Sequence, residues 1–303
     1  MVVVSVIMAT YKRIEYLREA IQSVLNQTFT DFEFIITNDQ DDIYIDEVGK
    51  TIKEFSKVDH RIIADIKIEH RNVGKAWNDA LCLASAKYIA IIGSDDVWEP
   101  EKLEEQLSVL RDNKDSLVWT DASIIDIRGK KMKTSFSEMY AREQNFNECN
   151  NLTYENYIPS QSIIFDAELG KSIKFNEEIP FFCDYIFLLE AYHRVKFIHM
   201  KRELVQYRIH GGNLTLNRRE EWKRQMLMLE NLIVRRYTLC KKAEVILWAR
   251  INIFLFTEIN IIPMIKNVVN LSIKHPIIFY SYIIYSFKHR MYYAKMVRGA
   301  IQI

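Results

Sequence analysis

Two adjacent carboxylates end an apolar stretch of the chain. "YIAIIGSDDVWEP" covers residues 88–100, and its apolar run leads directly into Asp95 and Asp96. One interpretation is that both are solvated acids ahead of a helix, where acidic residues are favoured. The other is that a cation binds there, because Mg²⁺ and Mn²⁺ prefer carboxylate oxygens that they share with substrate phosphates. The pair therefore predicts either a helix start or a divalent-metal site.

The elements that must position this pair are short apolar runs alternating with amphipathic segments in residues 1–115. The predicted strands are 2–9, 32–37, 61–70 and 87–93, and the predicted helices are 14–27, 74–86 and 100–112. Such alternation is typical of an α/β fold in which helices cover both faces of a parallel sheet.

Polar residues directly follow three of these strands. They are Thr10–Arg13, Asn38–Asp39 and Asp95–Asp96. Because ligands collect at the carboxyl ends of parallel strands, we expect the three groups to converge at one edge of the sheet.

The pattern changes twice further along the chain. Residues 116–216 contain shorter pieces: strands at 117–132 (with a turn at Gly129), 161–165 and 196–200, and a helix at 184–194. Beyond residue 217 the chain is nearly all helical in character. We therefore predict a domain of residues 1–216, made of a 1–115 half and a 116–216 half, and a helical region of residues 217–303.

Composition narrows the class of protein. The 303 residues are 49% hydrophobic and 27% charged, as in ordinary globular proteins. No G-x-G-x-x-G or P-loop pattern occurs, so any phosphate is bound without a glycine cradle.

Four scattered cysteines indicate reduced, cytosolic thiols. "MVVVSVIMAT" lacks the features of a signal peptide, and no apolar run reaches 18 residues. We expect no nucleic-acid partner, and an oligomer is left open.

The net charge of +1 hides a basic tail. Residues 217–303 carry 15 Lys/Arg and 5 Asp/Glu, whereas residues 1–216 carry 26 and 35. Residues 265–303 hold six basic side chains, no acid, and the aromatic run "HPIIFYSYIIYSF". This make-up favours peripheral contact with the inner face of a membrane. The alternative is a helix that packs on the catalytic domain or on a second subunit.

Four blocks of sequence carry a family resemblance. "VSVIMATYKR…LREAIQSVLNQTFTDFEFIITND", "RNVGKAWNDAL", "KYIAIIGSDDVWEPEKLEEQL" and the segment 181–215 resemble, in order, the family 2 glycosyltransferases. The resemblance implies a GT-A fold, a Rossmann-like mixed sheet, together with a nucleotide-sugar donor, a divalent metal (Mn or Mg) and, for most members, inversion at the anomeric carbon.

Site residues follow from this resemblance position by position. Those expected to bind the nucleotide sugar are Thr10, Tyr11, Arg13, Asp39, Asn72, Gly74, Asn78, Asp95 and Arg208. Within that set Asp39 accepts a hydrogen bond from the base, as a carboxylate can when the base is uracil. Asp96 and His210 are the expected metal ligands.

The "PFFCDYIFLLEAYHR" segment resembles the family element that holds the general base. It implies that Asp184 takes the proton from the acceptor hydroxyl, and the alternative is an ordinary helix cap. "VQYRIHGGNLT" resembles a Y-R-x-H element, with Arg208 and His210 facing a diphosphate; the alternative is a polar surface loop.

The sequence thus predicts an inverting, metal-dependent glycosyltransferase that moves a sugar from a UDP donor to a hydroxyl of a glycan or lipid-linked glycan. A glycosidase is disfavoured because adjacent Asp95 and Asp96 cannot flank a scissile bond. The remaining alternative is an impaired nucleotide-sugar-binding or assembly subunit. This alternative rests on Gly93 and Cys183, which stand where relatives carry acids.

Overall fold

Nine strands of the described chain form one mixed sheet. The structure is a computed structural model that describes residues 2–10, 14–38, 45–67, 71–140, 151–213, 219–250 and 273–280, with single residues at 283, 298, 300 and 301. The strands are β1 Val4–Thr10, β2 Phe32–Asn38, β3 Ile62–Asp65, β4 Tyr88–Gly93, β5 Val97–Trp98, β6 Ser116–Ile125, β7 Lys131–Ser135, β8 Ile164–Asp166 and β9 Lys196–Arg208.

The sheet is parallel on one side and mixed on the other. Its order is β3-β2-β1-β4-β8-β6-β9-β5, and β7 pairs with β6 off this path. Strands β1 to β4 are mutually parallel where they pair, and β8 is antiparallel to both β4 and β6. Strand β9 runs parallel to β6, and the two-residue strand β5 is antiparallel to β9. The last two pairings bring residues near 208 next to the turn that follows β4.

Helices lie on both faces of the sheet. They are α1 Ile14–Leu25, α2 Ile45–Ser56, α3 Val73–Leu83, α4 Lys102–Asp112, α5 Phe136–Tyr140, α6 Asn151–Tyr154, α7 Ala167–Ile173, α8 Cys183–Tyr192, α9 Arg219–Arg236 and α10 Lys241–Arg250. Two 3₁₀ turns, Ser160–Ser162 and Pro180–Phe182, precede strand β8 and helix α8, respectively.

The apolar run of strand β1 is nearly continuous because helices cover both faces of the sheet there. Val4, Val6 and Met8 pack in one core cluster with α1, α2 and α4, whereas Ile7 belongs to a second cluster with α3 and α8. Alternate side chains of a strand point to opposite faces, so both faces need apolar residues when both are covered. The predicted α/β fold, with helices on both faces of a mixed sheet, is confirmed.

The strand register aligns three carboxyl ends. Thr10 of β1 lies opposite Asn38 of β2, and Ala9 lies opposite Gly93, the last residue of β4. The residues after these strands therefore start from the same edge of the sheet. The predicted convergence is confirmed for Thr10, Asn38 and the Asp95–Asp96 pair.

Three strand predictions were wrong in extent. The predicted strand 61–70 ends at Asp65, and the predicted strand 196–200 continues to Arg208 because β9 pairs along the length of β6. The predicted strand 161–165 begins as the 3₁₀ turn Ser160–Ser162, and only Ile164–Asp166 is extended. There the Ser162 hydroxyl donates to the Pro159 carbonyl oxygen at 2.7 Å, which closes the turn.

The helices beyond residue 217 pack against the sheet-bearing core. Leu229 and Ile233 of α9 and Leu247 of α10 are buried in the same cluster as Ile7 of β1. The predicted division of the chain at residue 216 stays a prediction. No helix within the described ranges is long and apolar enough to cross a membrane.

Candidate functional site

Asp95 and Asp96 lie in the turn between β4 and β5. Their exposed fractions are only 5% and 3%, and the next helix, α4, begins six residues later at Lys102. The interpretation of the pair as solvated acids at a helix start is therefore wrong. Two buried carboxylates side by side require partners that offset their charge and their desolvation.

Both carboxylate oxygens of Asp96 accept hydrogen bonds. Oδ1 accepts from the backbone N–H of Arg208 at 3.0 Å, and Oδ2 accepts from Nε2 of Gln161 at 2.9 Å. Arg208 ends β9, and Gln161 lies in the Ser160–Ser162 turn. Residues far apart in sequence thus fix the orientation of this side chain.

Asp95 is paired with His210. The two contact each other through Oδ2 and Nε2 at 2.9 Å, and both are buried. The Nδ1 atom of His210 accepts from the backbone N–H of Gly212 at 3.0 Å. In the neutral imidazole one nitrogen accepts and the other donates, so Nε2 carries the proton toward Asp95. Direct metal ligation by His210 stays a prediction, since both ring nitrogens have partners within the protein.

The guanidinium group of Arg208 fixes the backbone of the acidic pair. Nε donates to the backbone carbonyl of Asp95 at 2.9 Å, and Nη2 donates to Glu19 Oε2 at 2.5 Å. Nη1 donates to the carbonyl of Asp126 at 3.2 Å, and the group lies 4.7 Å from the ring centroid of Tyr16. A buried arginine with these acceptors anchors the Asp95 turn to α1 and β6. Its predicted contact with a diphosphate stays a prediction.

Gly93 allows the carboxylates to fold back over the end of β4. A Cβ atom at this position would lie 2.5 Å from Asp96 Oδ2 and 2.9 Å from Asp95 Oδ1. Those distances are shorter than real Cβ contacts, so any side chain at 93 would displace both carboxylates.

Asp184 lies in the first turn of α8. Its Oδ1 accepts from the backbone N–H of Tyr185 at 2.8 Å, while the residue that caps the helix is Phe182. The interpretation of Asp184 as the helix cap is therefore wrong. Burial raises the pKa of the Asp184 carboxyl above its usual value, and hydrogen bonds from the Tyr185 amide and the Ser160 hydroxyl oppose that shift. A carboxyl with a raised pKa is suited to take up a proton.

The Ser160–Ser162 turn contributes a side chain to the acidic pair. Gln161 donates to Asp96 Oδ2 at 2.9 Å, and the neighbouring Ser160 hydroxyl lies 3.2 Å from Gln161 Oε1. The sequence reasoning missed both residues, because "QSIIF" was assigned to a strand. The available signal was Pro159 followed by three polar residues inside an otherwise buried apolar stretch.

Helix α9 supports the segment that carries Asp184. The backbone N–H of Phe181 donates to Gln225 Oε1 at 2.9 Å, and the Trp222 ring meets Phe182 edge-on at 5.6 Å between centroids. Gln225 is buried. The position of Asp184 thus depends on a helix beyond the predicted boundary at 216.

The other expected nucleotide-binding residues serve contacts within the protein. Asn72 caps α3 by accepting from the Lys75 amide at 3.0 Å. Asn78 exchanges two hydrogen bonds with the Phe175 backbone, at 2.9 and 2.8 Å. A Cβ on Gly74 would lie 2.5 Å from the carbonyl oxygen of Asn176. The three residues dock the segment around 175 onto α3, and their nucleotide contacts stay predictions.

The end of β1 offers an unused polar atom. Thr10 is fully buried, and its Oγ1 has no hydrogen-bond partner in the described part of the chain. Tyr11, Arg13 and Asp39, for which nucleotide contacts are predicted, lie outside the described residues.

Sequence comparison decides the family. The family model "Glycosyl transferase family 2" matches residues 5–165, which is more than half of the chain. This chain belongs to glycosyltransferase family 2. An uncharacterized glycosyltransferase of Methanocaldococcus jannaschii is 34% identical over 226 residues, which are 73% of this chain and 75% of that protein. The O-antigen biosynthesis glycosyltransferase WbnJ of Escherichia coli is 29% identical over 220 residues, or 69% and 80%.

Solved structures agree on the fold of this family 2 enzyme. S. aureus TarS 1–349 in complex with UDP-GlcNAc matches with a TM-score of 0.63 at 18% identity, over 89% of this chain and 80% of that one. The mannosyltransferase of Pyrobaculum calidifontis in complex with GDP-Man and Mn²⁺ matches with a TM-score of 0.61 at 13% identity, over 97% and 86%. The fold is therefore that of the GT-A glycosyltransferases.

Cys183, which stands where the family resemblance implies an acid, lies in an apolar core cluster. The residue is 1% exposed and lies in the apolar cluster with Phe187 and Leu188. A glutamate there would bury a carboxylate in that cluster, which is costly without a partner.

As a family 2 glycosyltransferase, this chain transfers a sugar from a nucleotide-sugar donor.

Proposed function

We propose that this chain is an inverting, metal-dependent glycosyltransferase that uses a UDP-sugar and a hydroxyl of a glycan or lipid-linked glycan. The observation that carries the proposal is the buried Asp95–Asp96 pair at the carboxyl edge of the sheet, together with Asp184 in the first turn of α8, a carboxyl whose pKa burial raises. These acids have different environments, as donor binding and proton transfer require.

The donor set fits a divalent cation that is shared with the substrate. Among the described residues no three acidic, histidine or cysteine side chains converge as a complete metal cage. Mg²⁺-like ions bind through one or two carboxylates plus substrate phosphates and water, so such a cage is not needed. Asp96 would hold the cation, with Asp95 and His210 beside it. A bound cation would offset the charge that develops on the diphosphate leaving group.

The residues of the chain divide the transfer between them. Asp184 accepts the proton of the acceptor hydroxyl as its oxygen forms a bond to the anomeric carbon. The bond from that carbon to the diphosphate oxygen breaks, and the electron pair leaves with the nucleoside diphosphate. Attack from the side opposite the leaving group inverts the anomeric centre. Asp184, as general base, contributes about 10²–10⁴ in rate.

The donor is tested with a panel of nucleotide sugars. We expect UDP and at least one UDP-sugar to raise the melting temperature in the presence of Mn²⁺, because ligands that bind only the folded state stabilise it. Differential scanning fluorimetry measures the shift, and radiolabelled transfer to glycan acceptors follows each hit. GDP-mannose and GDP are the matched controls. Stabilisation by GDP compounds alone would overturn the uracil part of the proposal, and no transfer from any donor would overturn the transfer itself.

Peripheral contact with an anionic membrane is the second part of the proposed function. Within residues 273–280, Phe279 is buried and Ile278 packs against the core, while Ile273 and Ile277 are 72% and 82% exposed. Lys274 lies between these two isoleucines, and residues 265–303 contain no acid. Exposed apolar groups with basic neighbours suit the headgroup boundary of anionic lipid.

The membrane contact is tested by flotation of the full chain with liposomes. We expect binding to phosphatidylserine-containing vesicles, and a loss of at least about tenfold in the double variant Ile273→Ser, Ile277→Ser, since burying one such side chain contributes on the order of 1 kcal/mol or more. Binding should also weaken as salt rises.

Val58 provides the matched control. It is also a highly exposed apolar residue, at 83%, and it lies far from residues 273–280 in the sequence. Val58→Ser should float as the unmodified chain does. Equal flotation of all three proteins, or equal binding to neutral vesicles, would remove residues 273–280 from the proposal.

A further inference from the structure

We propose that helix α9 and the residue that follows it position the base Asp184 by holding both ends of α8, with Gln225 and Tyr237 as the positioning residues. The inference rests on the proposed function above and adds residues to it. Asp184 is the second residue of α8, so a shift or tilt of that helix moves its carboxyl group. Proton transfer requires the base within about 2.6–3.2 Å of the acceptor hydroxyl, so small displacements matter.

Gln225 holds the start of α8. The 3₁₀ turn Pro180–Phe182 runs directly into this helix. Gln225 Oε1 accepts from the backbone N–H of Phe181 at 2.9 Å, three positions before Asp184. The Gln225 side chain is 3% exposed, and its Nε2 donates to Glu221 Oε1 at 2.6 Å, so the orientation of the amide is fixed within α9. The amide therefore fixes the backbone at the entry to α8.

An aromatic contact one helical turn earlier supports this hydrogen bond. Trp222 precedes Gln225 by three positions, so both side chains lie on the same face of α9. The Trp222 ring meets Phe182 edge-on at 5.6 Å between centroids, and Phe182 is buried. Edge-to-face ring pairs are favoured beyond the area that they bury. The start of α8 is thus held through both its backbone and a side chain.

Tyr237, which directly follows α9, holds the end of α8. Its hydroxyl donates to Glu190 Oε1 at 2.5 Å, and its ring stacks on His193 at 5.0 Å between centroids. Burial and the Glu190 carboxylate raise the pKa of the Tyr237 hydroxyl above its ordinary value, so this group stays protonated and donates. Arg236, the last residue of α9, pairs with the same glutamate oxygen at 3.1 Å.

Attachment at two ends restrains α8 more than a single contact would. A helix held at one end is free to pivot about that contact, whereas Glu190 is held eight residues after Phe182, about 12 Å further along the helix. Because a displacement of about 1 Å at a reacting group can cost about 100-fold in rate, loss of either attachment should lower kcat.

The start of α8 is tested with a double-mutant cycle between Gln225→Met and Asp184→Asn. Methionine keeps the unbranched length of glutamine and removes the oxygen that accepts from Phe181. We expect kcat, counted per donor-binding site from calorimetry, to fall about 10–100-fold in Gln225→Met while donor affinity stays within about twofold. In the Asp184→Asn background the same substitution should change kcat by less than about twofold, because the base through which Gln225 acts is already removed.

The end of α8 is tested with Tyr237→Phe, which keeps the ring on His193 and removes the hydroxyl from Glu190. This variant deletes a single oxygen, so it carries the test even if Gln225→Met fails to fold. We expect kcat to fall about three- to tenfold, less than in Gln225→Met because Arg236 still pairs with Glu190. This loss should also disappear in the Asp184→Asn background.

Ile52→Val is the control for a general loss of stability. Ile52 is 1% exposed in the core cluster of Met8, whereas Phe187 of α8 belongs to the other cluster. Removal of one methylene group should lower the melting temperature and leave kcat per donor-binding site unchanged.

Two results would overturn the inference. One is unchanged kcat in Gln225→Met or in Tyr237→Phe, and the other is a loss of equal size with and without the Asp184 carboxylate. Wild-type turnover in Asp184→Asn alone, or no transfer by the unmodified chain, would instead count against the proposed function.

Discussion

Replacement of Asp184 by asparagine is expected to reduce transfer by about 10²–10⁴-fold, the range for loss of a general base. Binding of the UDP-sugar should stay within about twofold, because a base acts in the transition state and not in donor binding. Asparagine keeps an oxygen for the hydrogen bond from the Tyr185 amide, so the start of α8 should be preserved. Steady-state kinetics and calorimetry on the same preparation measure the two quantities.

The same substitution should not destabilise the protein. Burial raises the pKa of Asp184 above its ordinary value of 3.8, so the unfolded chain loses this proton at a lower pH than the folded chain does. Stability contributed by this group therefore falls as pH rises from about 3.8 through the folded pKa, and above the folded pKa the ionised carboxyl carries the full cost. A neutral amide removes that cost. We expect an unchanged or higher melting temperature at pH 7.

Asp166 offers the matched control. It caps α7 and accepts from the Glu168 amide at 2.9 Å, so it is also an acid at a helix start. Asp166→Asn should leave turnover unchanged. Wild-type turnover in Asp184→Asn would remove this residue from the mechanism, and a large drop in donor affinity would assign it to binding instead.

The parallel half of the fold could be predicted from local pattern. Apolar runs with β-branched residues alternate there with helical spacing, and the runs of β1, β2 and β4 are buried on both faces. The sheet edge that carries the site could be inferred from this alternation alone, because parallel strands have their carboxyl ends on the same side. The antiparallel additions could not be predicted in this way. Their pairing, such as Val118 with Ile164, is set by tertiary contacts between distant segments.

The residues of the candidate site show the same difference between local pattern and tertiary contact. Asp95 and Asp96 were recognisable because they follow a strand directly, and Asp184 because its segment resembles a family element. Gln161 carried no local signal, since its contact with Asp96 spans 65 positions and depends on a turn inside an apolar stretch. Arg208 was recognised as a site residue, but its pairing with Glu19, 189 positions away, could not be inferred from either segment. Residues that position a site are thus harder to predict than those that carry its charge.

Replacement of Asp96 by asparagine is expected to weaken Mn²⁺ binding by more than the roughly 10–100-fold cost of losing an outer partner, because the variant loses the ligating charge itself. Turnover should fall by at least about 100-fold, since the charge on the leaving diphosphate is then less well offset. The asparagine oxygen can keep one of the two hydrogen bonds of Asp96, from the Arg208 amide or from Gln161. Electron paramagnetic resonance of Mn²⁺ and steady-state kinetics measure both effects.

Glu33 is the matched control for this variant, because it is another buried acid that accepts hydrogen bonds. It lies on β2 and accepts from the Ser5 hydroxyl at 2.6 Å and from the Ser85 amide at 2.7 Å. Its partners lie near the start of β1 and after α3, away from the carboxyl edge that carries Asp96. Glu33→Gln should lower the melting temperature and leave Mn²⁺ affinity unchanged. Full activity of Asp96→Asn, or full activity of the unmodified chain in excess chelator, would show that the acidic pair serves the fold without holding a cation.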